Sequence, residues 1–135
     1  MKARCLCGAT QFEVKLSNHE VAACHCSMCR RQTAGPLMSV DVENINFIDQ
    51  QHLSVFSSSE WGERGFCNAC GTFIFWRSKG HSFANINVFT LEHPPEDLNF
   101  NLEIYVDNQP SFYSFNNKTK KMTEAEVVAL FNSNQ

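Results

Sequence analysis

The chain has 135 residues, 43% of them apolar, which is enough for one domain with one hydrophobic core and too little for two. Its formal net charge of -3 offers no electrostatic footprint for nucleic acid or for an anionic membrane, so neither is expected as a partner. Near the N-terminus no apolar run has the length of a secretory signal, and no later stretch approaches the roughly 18 apolar residues of a membrane span, so a cytoplasmic location is expected. Thr10 to Leu16 alternates polar and apolar side chains, the period-2 signature of a half-buried strand. A short turn of helix is expected from about Ser27 to Ala34. Further short strands are predicted over Leu37 to Val42, Ile45 to Ile48, Leu53 to Ser57, Phe73 to Arg77, Phe83 to Phe89 and Leu102 to Val106. Each is rich in β-branched or aromatic residues and bounded by Gly, Asn, Asp or Ser. His93 to Asp97 and Asn116 to Lys121 read as loops, the lysines as solvated surface. A C-terminal helix follows from Thr123 to about Asn132, where Thr123 and Glu126 form a capping box ahead of Val127, Val128, Leu130 and Phe131. The pattern is mainly β with antiparallel strands and two helices.

Seven cysteines dominate the chemistry. They fall as Cys5-Leu6-Cys7-Gly8, Cys24-His25-Cys26-Ser27-Met28-Cys29 and Cys67-Asn68-Ala69-Cys70-Gly71. A disulfide framework would leave one unpaired and would not persist in a reducing compartment, so metal binding is the default. Zinc takes four tetrahedral ligands, and two cysteines one or two residues apart can bend round one ion. Gly8 and Gly71 each follow the last cysteine of a pair, where a residue without Cβ can take a positive φ and let backbone N–H groups approach the sulfurs. That shared feature matches Cys5 and Cys7 with Cys67 and Cys70 in a closed structural site. The remaining Cys24, Cys26 and Cys29 offer three thiolates and no fourth, the pattern of a catalytic zinc that keeps one position open. Thiolate number points to zinc, two per chain, while ligand type alone also allows iron. His25 lies between two candidate ligands, where neighbouring side chains point apart, and is expected to face away from the ion. His19, His52, His81 and His93 are expected at the surface or satisfied in the core.

Together these motifs resemble the glutathione-dependent formaldehyde-activating enzymes, a domain shared with centromere protein V. Cys5-Leu6-Cys7-Gly8-Ala9 with Phe12 resembles the family's opening, Cys24-His25-Cys26-Ser27-Met28-Cys29-Arg30-Arg31 its central motif, and Phe66-Cys67-Asn68-Ala69-Cys70-Gly71-Thr72 its third. The resemblance implies one zinc-binding domain over 1–135 with a β-rich fold on a zinc-ribbon-like core. It also implies a structural zinc on Cys5, Cys7, Cys67 and Cys70, and a catalytic zinc on Cys24, Cys26 and Cys29. The implied reaction is carbon–sulfur lyase or synthase chemistry on the adduct of a glutathione-like thiol with formaldehyde. Two positions depart from the family pattern: Glu103 precedes Ile104-Tyr105-Val106 where relatives carry a histidine, and Ser111 falls in the segment where they carry a tryptophan. The label is therefore read as a reaction class.

Arg30 and Arg31 follow the cysteine triad directly and are candidates to pair with a substrate carboxylate, since guanidinium matches carboxylate in a bidentate fork. Two alternatives stand beside the enzyme. In one, the chain is a non-catalytic zinc-binding interaction domain whose second site is closed by a histidine, a carboxylate or a partner's side chain. In the other, the triad senses redox state.

Overall fold

The computed structural model describes residues 1–133, which form two compact units. The first comprises Met1–His19 and Ser39–Leu98, the second Glu20–Met38 and Asn99 onward. The first is built mainly of strands, and the second combines short strands with two helices.

In the first unit, β1 (Lys2–Arg4), β2 (Gln11–Leu16), β4 (Leu37–Asp49, in this unit from Ser39), β5 (Leu53–Ser57), β6 (Gly62–Cys67), β7 (Phe73–Ser78) and β8 (Ala84–Asn87) pair antiparallel in the order β1-β2-β4-β8-β7-β6-β5. On β2 the alternation predicted from sequence is realised, with Phe12 and Val14 buried and Glu13 exposed. Phe12 sits 5.6 Å from Phe47, which in turn lies 6.0 Å from Phe75, and with the fully buried Ile74 and Ile86 these rings form the core. The two strands expected at 37–42 and 45–48 are one strand. Between them Leu16 pairs with Val42 and Lys15 with Asn44, so Glu43 is an extra residue, a bulge that breaks the period and not the ladder.

In the second unit, β3 (Glu20–Cys24), β9 (Asn99–Ile104) and β10 (Lys120–Met122) pair parallel, the exception within a mainly antiparallel pattern. Parallel pairing needs a long crossover between strands, and here the chain runs from Cys24 at the end of β3 to Asn99 at the start of β9, with Cys24 opposite Ile104 and His25 N–H donating to Ile104 O at 3.1 Å. Both strands therefore end side by side. From that edge β3 runs into α1 (Ser27–Thr33), while β9 runs into Tyr105 and a single 3-10 turn at Val106–Asn108. Lys120 and Lys121, read from sequence as the end of a loop, belong with Met122 to strand β10. Helix α2 (Glu124–Ser133) is capped as expected: Thr123 N–H donates to Glu126 Oε1 at 3.1 Å, and Glu126 N–H donates to Thr123 Oγ1 at 3.3 Å. Among the described residues, no helix is long and apolar enough to cross a membrane.

Candidate metal centres

The first centre lies wholly in the first unit. Cys5 and Cys7 occupy the turn after β1, Cys67 ends β6, and Cys70 sits in the turn before β7. The two turns are alike. Gly8 N–H donates to Cys5 O at 3.3 Å and Gly71 N–H to Cys67 O at 2.7 Å, while Cys5 and Cys67 N–H donate to Thr10 O and Thr72 O at 3.1 and 2.9 Å. Gly8 and Gly71 have φ of 80° and 81°, a conformation that a side chain would strain. All four sulfurs lie within 4.8 Å of one another, with Cys5–Cys7 at 3.7 Å and Cys7–Cys67 at 3.9 Å. Tetrahedral zinc with bonds of about 2.3 Å places its sulfurs about 3.8 Å apart, whereas a disulfide needs about 2.05 Å. None of the seven cysteines is disulfide-bonded, and the donor set fits a four-thiolate metal site.

Threonines complete the surroundings of these sulfurs. Thr72 Oγ1 accepts from Leu6 N–H at 3.0 Å and donates to Cys70 Sγ at 3.2 Å, and Thr10 N–H donates to Cys5 Sγ at 3.3 Å. The Thr72 hydroxyl, with backbone N–H groups, lowers the Cys70 thiol to about 5, favouring the thiolate that a metal requires. Thr10 and Thr72 were not singled out from sequence. The available signal is their place just after the turn glycine of each cysteine pair.

The second centre lies wholly in the second unit. Cys24 is the last residue of β3, Cys26 caps α1 with its sulfur accepting the Cys29 N–H at 3.3 Å, and Cys29 sits in the helix's first turn. The three sulfurs are mutually within 4.8 Å, and among the described residues no fourth His, Cys, Asp or Glu joins them. Cys24 is pushed far above the ordinary thiol value, first by sharing protons with the Cys26 and Cys29 sulfurs, then by burial and by their charges. Three thiolates cannot ionise together without a cation, so this donor set too fits a metal ion. Tyr105, left-handed at φ 57°, has its phenol raised to about 12 by burial and then by the charges of Cys24 and Cys26, which places it in the field of the triad.

His25 faces away from the sulfurs. Its fully buried ring meets Tyr113 Oη at Nδ1, 2.8 Å, and Glu103 Oε1 at Nε2, 2.9 Å, so both nitrogens are engaged elsewhere. From sequence Glu103 stood out only as a departure from the family pattern, and neither residue was read as a partner of His25. The isolated carboxylate of Glu103 within the apolar-leaning strand Asn99–Ile104 is the one clue. Arg30 Nε donates to His25 O at 2.9 Å, and Arg30 lines a groove with Ala34, Pro36, Phe112, Tyr113 and Phe115. Arg31 is exposed and lies outside that groove.

The family model for the glutathione-dependent formaldehyde-activating enzyme matches residues 1–108. The chain belongs to that family. Its membership agrees with the cysteine grouping, since both clusters fall inside the matched residues. A relative from Schizosaccharomyces pombe, described as an uncharacterized lyase, is 28% identical over 131 residues, covering 94% of this chain and 93% of its own. A crystal structure of a Rhodobacter sphaeroides protein shares the fold with TM-score 0.59 and 23% identity, covering 74% of this chain and 99% of that one. Family and relative together support a lyase-type reading of a chain whose two cysteine clusters could hold metal ions.

Proposed function

We propose that this chain is a zinc-dependent carbon–sulfur lyase, or synthase in the reverse direction, acting on the adduct of a glutathione-like thiol with a small carbonyl such as formaldehyde. In this reading Cys5, Cys7, Cys67 and Cys70 hold a structural zinc, and Cys24, Cys26 and Cys29 hold a second one at which the chemistry occurs. The observation that carries it is the contrast in donor number: four sulfurs converge in the first unit and three in the second, with no fourth His, Cys, Asp or Glu among the described residues. When bound by three thiolates, zinc supplies one further coordination position and a positive field for a sulfur or oxygen that gains negative charge.

The chain's own residues divide the remaining work. Cys26 and Cys29 are fixed by the first turn of α1, so the three donors share one side of the site. Arg30, held by its Nε on the His25 carbonyl, presents its guanidinium to the groove, where it pairs with a carboxylate of the thiol. Arg31, exposed and outside the groove, has no place in this scheme. Seven unbridged cysteines support a reducing, cytosolic setting. The interaction-domain alternative requires an internal ligand or a partner to close the second centre, and His25, the nearest histidine in sequence, is committed to Tyr113 and Glu103. The test is direct: zinc-loaded protein is mixed with glutathione and formaldehyde, or with other thiol and aldehyde pairs, and adduct formation and breakdown are followed by NMR. Turnover that disappears in Cys26→Ser supports the reading. Two tightly held zincs with no pair accelerated would reject it.

A further inference from the structure

Arg30 is the single charged residue of a groove whose lining is otherwise apolar or aromatic but for one serine, with Ala34, Pro36, Phe112, Tyr113 and Phe115 forming most of its walls. The groove encloses about 590 Å³, within the range of sites that take small molecules. Its walls are built in advance. On one side α1 ends at Ala34 in a left-handed turn, φ 60°, and Thr33 Oγ1 donates to Gly35 O at 2.9 Å. On the other, Phe115 packs edge-on to Phe100 at 5.0 Å, Tyr113 Oη lies 2.8 Å from His25 Nδ1, and Gln109 Nε2 donates to Tyr113 O at 2.7 Å. Of the three rings only Phe112 is exposed, at 84%, and it extends the apolar wall into solvent.

The charge pattern decides what fits. Arg30 Nε is engaged by His25 O at 2.9 Å, and among the described residues no carboxylate is paired with its guanidinium. A guanidinium only donates, so the remaining Nη groups call for an anion. A ligand with one carboxylate on an apolar body matches one cation between apolar walls. Glutathione carries two carboxylates and an ammonium, and the lining offers that ammonium no acidic partner. Glu103 of the same unit is 1% exposed and already engaged by His25, Thr119 and Lys121. We propose that the groove binds monocarboxylates with an apolar or aromatic body, so that the thiol handled here is an alkyl- or aryl-substituted mercapto acid and not a zwitterionic peptide. Arg30 directly follows Cys29 in α1, so the groove and the triad share one helix. For its thiol the inference rests on the proposed function and narrows its substrate.

Thiol-free probes test the groove apart from turnover. Zinc-loaded protein is titrated calorimetrically, with amide shifts followed by NMR, against 3-phenylpropionate, propionate, 3-phenylpropan-1-ol and S-methylglutathione. Covering about 100 Å² of the ring predicts that 3-phenylpropionate binds on the order of 50-fold tighter than propionate. Its carboxylate predicts about 10-fold over the alcohol, and S-methylglutathione should bind more weakly than 3-phenylpropionate. Phe112→Ala should cut the gain from the ring to about 10-fold or less and leave propionate unchanged, while Arg30→Met should bring acid and alcohol together. Because Arg30 also holds the His25 carbonyl, the exposed Phe112 position decides the matter if Arg30→Met does not fold. Equal binding of 3-phenylpropionate and propionate, a ring preference untouched by Phe112→Ala, or tighter binding of S-methylglutathione would overturn the inference and leave the proposed function standing. Ring and carboxylate preferences as expected, with no thiol–aldehyde pair turned over, would establish the groove as a carboxylate site and reject the proposed function.

Discussion

Removing the far pair of ligands from the first centre, by Cys67→Ser together with Cys70→Ser, should destabilise the chain far more than removing Cys26 and Cys29 from the second. The structure supplies the reason: Cys7 and Cys67 are 60 positions apart, and their sulfurs meet at 3.9 Å, so a metal there cross-links a long loop. Chain-entropy bookkeeping gives a cross-link of that span about 4.3 kcal/mol at 25 °C. The second cluster spans only Cys24 to Cys29, and the same relation gives about 2 kcal/mol for so short a loop. With an unfolding entropy of about 2.1 cal/mol/K per residue over 135 residues, these correspond to falls in Tm of about 15 and 7 °C. The first fall is a large share of the stability of a typical domain, about 5–15 kcal/mol, so part of that population should be unfolded at 37 °C. Thermal melts by circular dichroism, with zinc content measured on the same samples, check the ordering. If the two double variants melted together while each had lost one zinc, the assignment of a structural role to the first centre would be wrong.

Three further outcomes are expected. Cys26→Ser alone should retain about one zinc per chain and its circular dichroism spectrum while losing turnover of thiol–aldehyde adducts, which colorimetric zinc release and NMR would establish. Because the Glu103 carboxyl is held below its ordinary value of 4.5, its contribution to stability is complete above that pH and is lost as pH falls through the lowered folded value; Glu103→Gln should therefore flatten the acid limb of Tm against pH, and should cost about 1.5–3 kcal/mol near neutrality. Gly65→Ala would place a Cβ 2.2 Å from the buried Phe75 ring, and overpacking there should lower stability by about 1–3 kcal/mol in urea titrations without changing zinc content.

That glycine also explains why part of the fold could not be seen in the sequence. Strand β6 reads Gly-Glu-Arg-Gly-Phe-Cys, whose glycines argue against a strand, yet Gly62 and Gly65 are there because the Trp76 and Phe75 rings of the neighbouring strand lie across them. Local propensity records the cost of glycine, and only the partner strand shows the gain. The same holds for β3, Glu-Val-Ala-Ala-Cys, whose two alanines carry no β signal and whose place is set by parallel pairing with a strand far along the chain. Where periodicity and capping act within a few residues, as in β2 and α2, the sequence was sufficient.

The candidate site divides along the same line. Cysteine spacing is local information, and the grouping into four and three is the one in which the sulfurs converge. His25, Glu103 and Tyr113 are 78 and 88 positions apart along the chain, and nothing in the neighbourhood of any one of them announces the others. Glu103 in particular reads as a departure from the family pattern when taken alone, and as a partner once the fold brings it to Nε2 of a buried imidazole. A carboxylate without exposure is costly unless it is paired, and this one is satisfied by His25, Thr119 and Lys121 at once, three partners that only the folded chain brings together.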